Sequence, residues 1–308
     1  MTSRSTNRVT GLTWLATVLG VSHLVLVYAT GRLRWDHVAV DALLLGVAWS
    51  GPRLQRFLRG GFALWLTGML LDSQGLWLFL RGPIHTGDLW ALERQLFPAP
   101  GGVHWPEWWS TRFTPALDLL CGFAYAAYLY EVFLLALFFF VKKDSLFERV
   151  CWGFLVVNAI GVIVYVLYPA APPWYVLQYG PGPADLAAPP SPAGTARFDA
   201  LLGIRYFAGF YSRSTNVFGA MPSLHAAYPF LMMLFVWSRG WAWRIPSGLF
   251  ALLVAFSAVY LTHHYVLDVI AGMGAAVVAF LVVESVHARR TAAPPLPVPL
   301  TTRGDTRA

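Results

Sequence analysis

Runs of apolar residues broken by short polar turns dominate this chain, and they recur at the length a bilayer demands instead of alternating as half-buried strands do. Crossing about 30 Å of hydrocarbon takes roughly 20 residues of helix. The pattern predicts such helices at Val9 to Thr30, Gly61 to Leu80, Pro115 to Val141, Leu146 to Tyr168, Met221 to Trp237, Pro246 to Thr262 and Tyr265 to Val286. A shorter run, Val38 to Trp49, makes an eighth. The expected fold class is all-α: a polytopic membrane helical bundle of about eight transmembrane helices, in which each span satisfies its own backbone.

Composition agrees with that pattern. Of 308 residues, 57% are hydrophobic and only 12% charged, and the mean hydropathy is +0.56. The first segment follows Arg4 and Arg8 in the manner of a signal peptide, yet no small-residue cleavage site precedes Arg32 and Arg34, so it reads as a retained helix. The cysteines, Cys121 and Cys151, both fall inside expected spans, where packing is their role.

The net charge of +7 does not mark a nucleic-acid partner, because the basic residues are scattered through the turns between helices instead of forming one face. Topology accounts for most of them. With the amino terminus inside, fourteen of the twenty-two basic residues fall on the inner side: Arg4, Arg8, Arg53, Arg56, Arg59, Lys142, Lys143, Arg149, Arg239, Arg244, Arg289, Arg290, Arg303 and Arg307. That orientation puts the outer loops on the extracytoplasmic side, periplasmic or lumenal; a bacterial inner membrane is the expected location, with a Golgi membrane the alternative that the sequence leaves open. One such loop, Arg81 to Thr114, carries Trp90, Trp105, Trp108 and Trp109 and is expected to lie along the membrane surface as a belt of anchors. The other, Pro169 to Ala220, is long and rich in Pro and Gly, and loops of that length are usually functional or disordered.

The second loop leads into Met221-Pro222-Ser223-Leu224-His225, and the last span opens with His263-His264-Tyr265-Val266-Leu267-Asp268. Ionisable groups at the entrances of membrane helices are costly to keep, which makes chemistry their default explanation. Pro222 suits the first turn of a helix, where Ser223 and free amides would face an anion. His225, close enough to share that anion, can protonate a departing alkoxide. His264 and Asp268, four apart, share a helix face, so the carboxylate can take the Nδ1 proton and leave Nε2 free as a nucleophile toward phosphorus. No carboxylate cluster at this surface suits magnesium and the histidines lack short zinc spacings, so no metal and no cofactor is expected. Asp41, Asp72, Asp118, Glu131 and Glu284 lie in or near spans and read as internal hydrogen-bonding groups, with Asp118 also placed to touch a headgroup.

The Pro-Ser-x-x-His and His-x-x-x-Asp elements resemble those of the type 2 phosphatidic acid phosphatase superfamily. The resemblance implies a six-helix core, a phospho-histidine intermediate, His264 as nucleophile, Asp268 as its partner and His225 as general acid. Two departures stand out: the phosphatases' first motif with Lys and Arg is missing, and Ala258 occupies the place of an arginine six residues before the nucleophile. A narrower series fits better: Tyr168 to Trp174, Ala196 to Gly203, Phe218 to His225 and Thr262 to Asp268, which is similar to fungal inositol phosphorylceramide synthases and their bacterial relatives. The expected division is residues 1–60 as extra N-terminal membrane helices, 61–290 as the phosphatase-like catalytic domain and 291–308 as a tail whose Pro-rich composition reads as disordered; the similarity itself runs from about Pro115 to Gly272. It implies phosphoinositol transfer from a phospholipid donor, phosphatidylinositol, to a ceramide-like acceptor. The acceptor's chain length and the oligomeric state are left open.

A phosphoryl group in transfer needs cationic donors, and Arg197, Arg205 and Arg213 precede Ser223 in the outer loop. They are the candidate phosphate ligands beside Ser223, with Arg197 favoured because it sits in the family-like stretch. The alternative function is a membrane lipid phosphate phosphatase that hydrolyses phosphatidate or a prenyl diphosphate with the same histidines; a transporter or scaffold with a retired site is third.

Overall fold

The computed structural model describes residues 11–292. Arg4, Arg8, Arg303, Arg307 and the tail beyond residue 292 lie outside them. The described residues form thirteen α-helices with no strand. In chain order, α1 (Gly11–Ala29), α2 (Trp35–Ala48) and α3 (Pro52–Asp72) precede the first long loop, which holds α4 (Gly87–Leu96) and α5 (Trp105–Ser110). The long hairpin α6 (Pro115–Val141) and α7 (Leu146–Leu167) follows. The second long loop holds α8 (Pro173–Tyr179), α9 (Thr195–Leu202) and α10 (Tyr206–Tyr211), and the described residues end with α11 (Leu224–Val236), α12 (Trp241–Tyr260) and α13 (Val266–Ala292).

Among the described residues, five helices are long and apolar enough to cross a membrane: α1, α6, α7, α12 and α13. The other three expected spans exist as helices with different bounds. The third begins at Pro52, not Gly61, because Pro is suited to a first turn and because Arg56 and Arg59 find places on the helix, Arg56 bonded to the Phe140 carbonyl and lying over its ring and Arg59 exposed. It stops at Asp72, and residues 73–80 turn through two short 3-10 segments. The twelfth helix starts at Trp241 and carries Pro246 inside it, where the sequence suggested a beginning. The eleventh has only 13 residues.

One main core joins α6, α7, α11, α12 and α13, with Phe139, Leu231, Phe235 and Ala276 buried inside it. A second cluster, including Ala16, Leu44 and Trp65, seats α1 and α2 on α3, which itself packs along α7. Polar groups inside the bundle are mostly paired, as low-dielectric surroundings require. Asp41 accepts from Trp65 and bonds His23, Asp118 binds Arg197, and Glu284 binds Arg149.

The two long loops are built structure rather than surface tether. Trp90 meets His104 edge-on with centroids 3.9 Å apart, and Trp109 packs on Tyr260 at 5.3 Å. These indoles cover the bundle instead of serving as lipid anchors alone. Backbone bonds knit three loop segments into one cover: His85 N–H to Pro169 O, Ala171 N–H to His85 O and Ala170 N–H to Phe218 O, each within 2.9 Å. The same ladder fixes Ala220, whose amide donates to Ala170 O at 3.2 Å.

Candidate active site

α11 and α13 start at the same end of the bundle, because α12 runs between them as the return arm of a hairpin. Ser223 is the N-cap of α11: its hydroxyl accepts from the Ala226 amide at 3.3 Å, and its own amide donates to the Asp268 carbonyl at 2.9 Å. Pro222 therefore lies before the helix, not in its first turn. Ser223 is fully buried and its hydroxyl serves the helix end; it does not line the cavity described below.

His264 lies in the tight turn before α13, not on the helix. That turn is closed by a double bond to one acceptor, with the His263 and His264 amides both donating to Ala258 O at 3.1 and 3.0 Å. The substitution of Ala258 for the phosphatases' arginine thus leaves its backbone as the anchor of the turn. The His264 ring is fixed at Nδ1, which lies 2.9 Å from the Ala220 carbonyl and 3.5 Å from Asp268 Oδ2. A carbonyl oxygen only accepts, so Nδ1 carries the proton and Nε2 is the basic atom. The expected tautomer is present, but Ala220 is its nearer support. Asp268 caps its own helix by accepting from the Tyr265 amide at 2.8 Å, and its Oδ1 is buried without a hydrogen-bond partner.

His264 Nε2 faces His225 Nδ1 at 2.9 Å, and His225 Nε2 faces the Tyr211 hydroxyl at 3.4 Å. With Nε2 of His264 accepting, Nδ1 of His225 is the donor. The His225 ring stacks on Tyr125, centroids 4.4 Å apart, while His263 is held by Pro192 O and sandwiched by Tyr125 and Tyr211. Both catalytic candidates open onto a cavity of about 290 Å³, together with Gln74, Ser191, Arg213 and Asn216.

The three arginines separate clearly. Arg213 is the one Lys or Arg among the residues lining this cavity. Arg205 precedes α10, is exposed and does not line it. Arg197 is committed elsewhere: its Nε donates to Asp118 Oδ1 at 2.8 Å and its guanidinium lies over Phe113 and Tyr260. Arg197, the favoured phosphate-ligand candidate, is thus turned away from the cavity, and of the three candidates Arg213 is the one that lines it. Asp118, expected to touch a headgroup, is instead neutralised by Arg197 and also accepts from Tyr260 at 2.9 Å.

Sequence reasoning missed two loop residues behind the turn that carries His264. Glu93 on α4 is fully buried, and its two oxygens accept from the Val266 and Leu267 amides at 2.8 and 3.2 Å, capping α13 from another helix. His104, also fully buried, accepts from the Glu107 amide at 3.1 Å and packs edge-on to Tyr265. Burial, helped by Arg94, pulls the His104 imidazole down to about 4, and burial pushes the Glu93 carboxyl up to about 7. His263 is pulled down to about 3, again mainly by burial.

These shifts have opposite signs in pH linkage. Between the unfolded histidine value of 6.5 and the depressed folded values, the unfolded chain binds protons that the folded chain refuses, so stability falls on acidification. Glu93 works the other way between 4.5 and about 7, since the folded chain holds its proton longer. Glu93→Gln is expected to remove that compensation and steepen the loss of melting temperature from pH 6.5 to 4.5. Thermal unfolding of both proteins across that range checks it; parallel profiles would contradict the assignment.

The sequence model of the PAP2 superfamily matches residues 87–282. The chain is 31% identical over 273 residues to the phosphoinositol dihydroceramide synthase of Bacteroides thetaiotaomicron, covering 85% of this chain and 88% of that one. It is 35% identical over 285 residues to the catalytic subunit of the Schizosaccharomyces pombe inositol phosphorylceramide synthase, 86% of this chain and 65% of the other. The corresponding Saccharomyces cerevisiae subunit is 28% identical over 296 residues, 89% and 68% of the two chains. No solved structure gives a significant match.

Proposed function

From the premise that this chain belongs to the PAP2 superfamily, on its inositol phosphorylceramide synthase side, we propose that it moves phosphoinositol from phosphatidylinositol to the primary hydroxyl of a ceramide. It is an integral membrane enzyme, a lipid phosphotransferase. The observation that carries the mechanism is the His264 ring fixed at Nδ1 by Ala220 and Asp268, which leaves Nε2 as its basic atom 2.9 Å from His225 on the wall of the cavity.

In the first step His264 Nε2 attacks phosphorus, the bond to the diacylglycerol oxygen breaks, and His225, entering as imidazolium beside the anionic phosphodiester, delivers a proton to that oxygen and is left neutral. The product is phosphoinositol bonded to His264, whose positive ring is balanced by Asp268. In the second, His225 takes the proton of the ceramide hydroxyl, the alkoxide attacks phosphorus, and the bond to His264 breaks. Atoms and charge return to the start. No metal enters either step.

The 2.9 Å contact between the two rings belongs to the resting enzyme. An in-line reaction puts phosphorus about 3 Å from the nucleophile, with the leaving oxygen and its hydrogen bond beyond it. Donor binding therefore parts the rings. Arg213, exposed at the cavity mouth, is the cation available to the equatorial oxygens. The positive-inside bias supports an extracytoplasmic position for this end of the bundle.

Purified protein given labelled phosphatidylinositol and ceramide is expected to yield labelled phosphosphingolipid and diacylglycerol. Release of inositol phosphate without transfer would make the enzyme a hydrolase. Arg213→Ala is expected to lower kcat/KM by about 10- to 100-fold, the scale of one charge-assisted hydrogen bond. Arg197→Ala should instead lower thermal stability, because it leaves Asp118 buried and unpaired. Melting curves and initial rates on both variants distinguish the roles; an unaffected Arg213→Ala would remove it from the phosphate site.

A further inference from the structure

The far end of α13 holds a second cavity, about 440 Å³, larger than the catalytic one. It lies between α13 and the start of α7, and its walls follow the helix axes. On α7, Glu148, Trp152 and Val156 recur every four residues; on α13, Val282, Val286 and Arg290 do the same. Residues four apart share a helix face, so each wall is a stripe that grades from charged at the bundle end to apolar toward its middle. About 24 residues of helix, roughly 36 Å at 1.5 Å per residue, separate Val266 from Arg290, so this cavity is at the opposite membrane surface from His264.

Its charges do not cancel. Arg149 pairs with Glu284 at 2.5 Å, and Glu148 lies 3.7 Å from Arg59. Arg290 has no carboxylate within ion-pair distance among the described residues, and His287 and Thr291 stand beside it on the rim. The Trp152 indole is fixed by donating to the Arg59 carbonyl at 3.0 Å, which keeps its ring available as apolar wall. A single uncompensated cation over an apolar trough matches an amphiphile with one negative charge in its head.

We propose that the α7–α13 cavity is a binding site for an anionic phospholipid of the leaflet opposite the catalytic cavity, with the phosphodiester on Arg290 and His287 and an acyl chain along Trp152, Val156, Val283 and Val286. A zwitterionic lipid has no net charge to complement Arg290, and a free phosphate has no chain for the trough. Neither Arg290 nor His287 touches the catalytic cavity, so the site is independent of the transfer reaction.

The test uses full-length protein stripped of lipid in a neutral detergent and followed by thermal unfolding. Dioleoyl phosphatidylglycerol is expected to raise the melting temperature by about 5 °C near saturation, whereas dioleoyl phosphatidylcholine and inorganic phosphate do not. Arg290→Gln, an exposed change near a helix end, is expected to abolish the shift while leaving the melting temperature without lipid unchanged. His264→Ala is expected to retain it, which separates this site from donor binding in the catalytic cavity. An equal shift from phosphatidylcholine or phosphate, a shift that survives Arg290→Gln, or one that disappears in His264→Ala would each overturn the proposal.

Discussion

His264→Gln is expected to lower headgroup transfer by about 10⁴-fold or more, because the variant has no group able to form the bond to phosphorus. Its side chain can still donate toward the Ala220 carbonyl, so the turn closed on Ala258 should survive. The effect is therefore on rate and not on fold. Initial rates of labelled phosphosphingolipid formation, beside a melting curve, check both parts; a variant that unfolds, or one that keeps a tenth of wild-type turnover, would contradict this role. His225→Gln should be nearly as damaging with natural lipids, since both steps pass a proton through that ring.

Gly272→Ala is expected to disable the enzyme without touching any reacting atom. A Cβ at position 272 would lie 2.2 Å from the Ser223 carbonyl oxygen and 3.0 Å from its carbon. That obstacle is backbone, and the same oxygen accepts the Ala227 amide in the first turn of α11 at 3.0 Å. Making room means moving the start of α11, with His225 on it, away from α13. Overpacking of this kind costs about 1–3 kcal/mol or more. A 1 Å misplacement of reacting groups can cost about 10²-fold in rate. Gly274→Ala, two residues on and with nothing within 4 Å of its added Cβ, is the matched control and should behave as wild type. Equal behaviour of the two variants would show that the close crossing of α11 and α13 does not set the site.

The reading from sequence succeeded where one local signal decides the outcome. Long apolar runs marked α1, α6, α7 and α13, because a span needs little beyond length and hydropathy. Both histidine motifs were visible because each adjoins a helix start, and helices joined by a hairpin return to the same end. The start of α3 was obscured by Arg53, Arg56 and Arg59, whose charges interrupt hydropathy without interrupting a helix.

What stayed hidden depends on contacts remote in the chain. Glu93 reaches the catalytic turn from 173 residues away, and Ala220 acts through a carbonyl that any residue could supply. Ser223 reads as a phosphate ligand because an N-cap hydroxyl and an anion ligand look alike in sequence; in the fold its hydroxyl accepts from the Ala226 amide and does not line the cavity. Asp118 and Arg197 each stood out as anomalies, one a carboxylate at a span entrance and the other a cation in a motif-like stretch. They explain each other as an ion pair. Glu131, expected to hydrogen-bond between helices, instead has a buried carboxyl oxygen without a partner.

The most direct measurement is to quench the enzyme during turnover with labelled phosphatidylinositol and sequence the labelled peptide by mass spectrometry. The account predicts acid-labile phosphoinositol on His264, accumulating when ceramide is withheld and discharged when it is added. Label on another residue, or product formed at full rate while His264 stays unmodified, would contradict it.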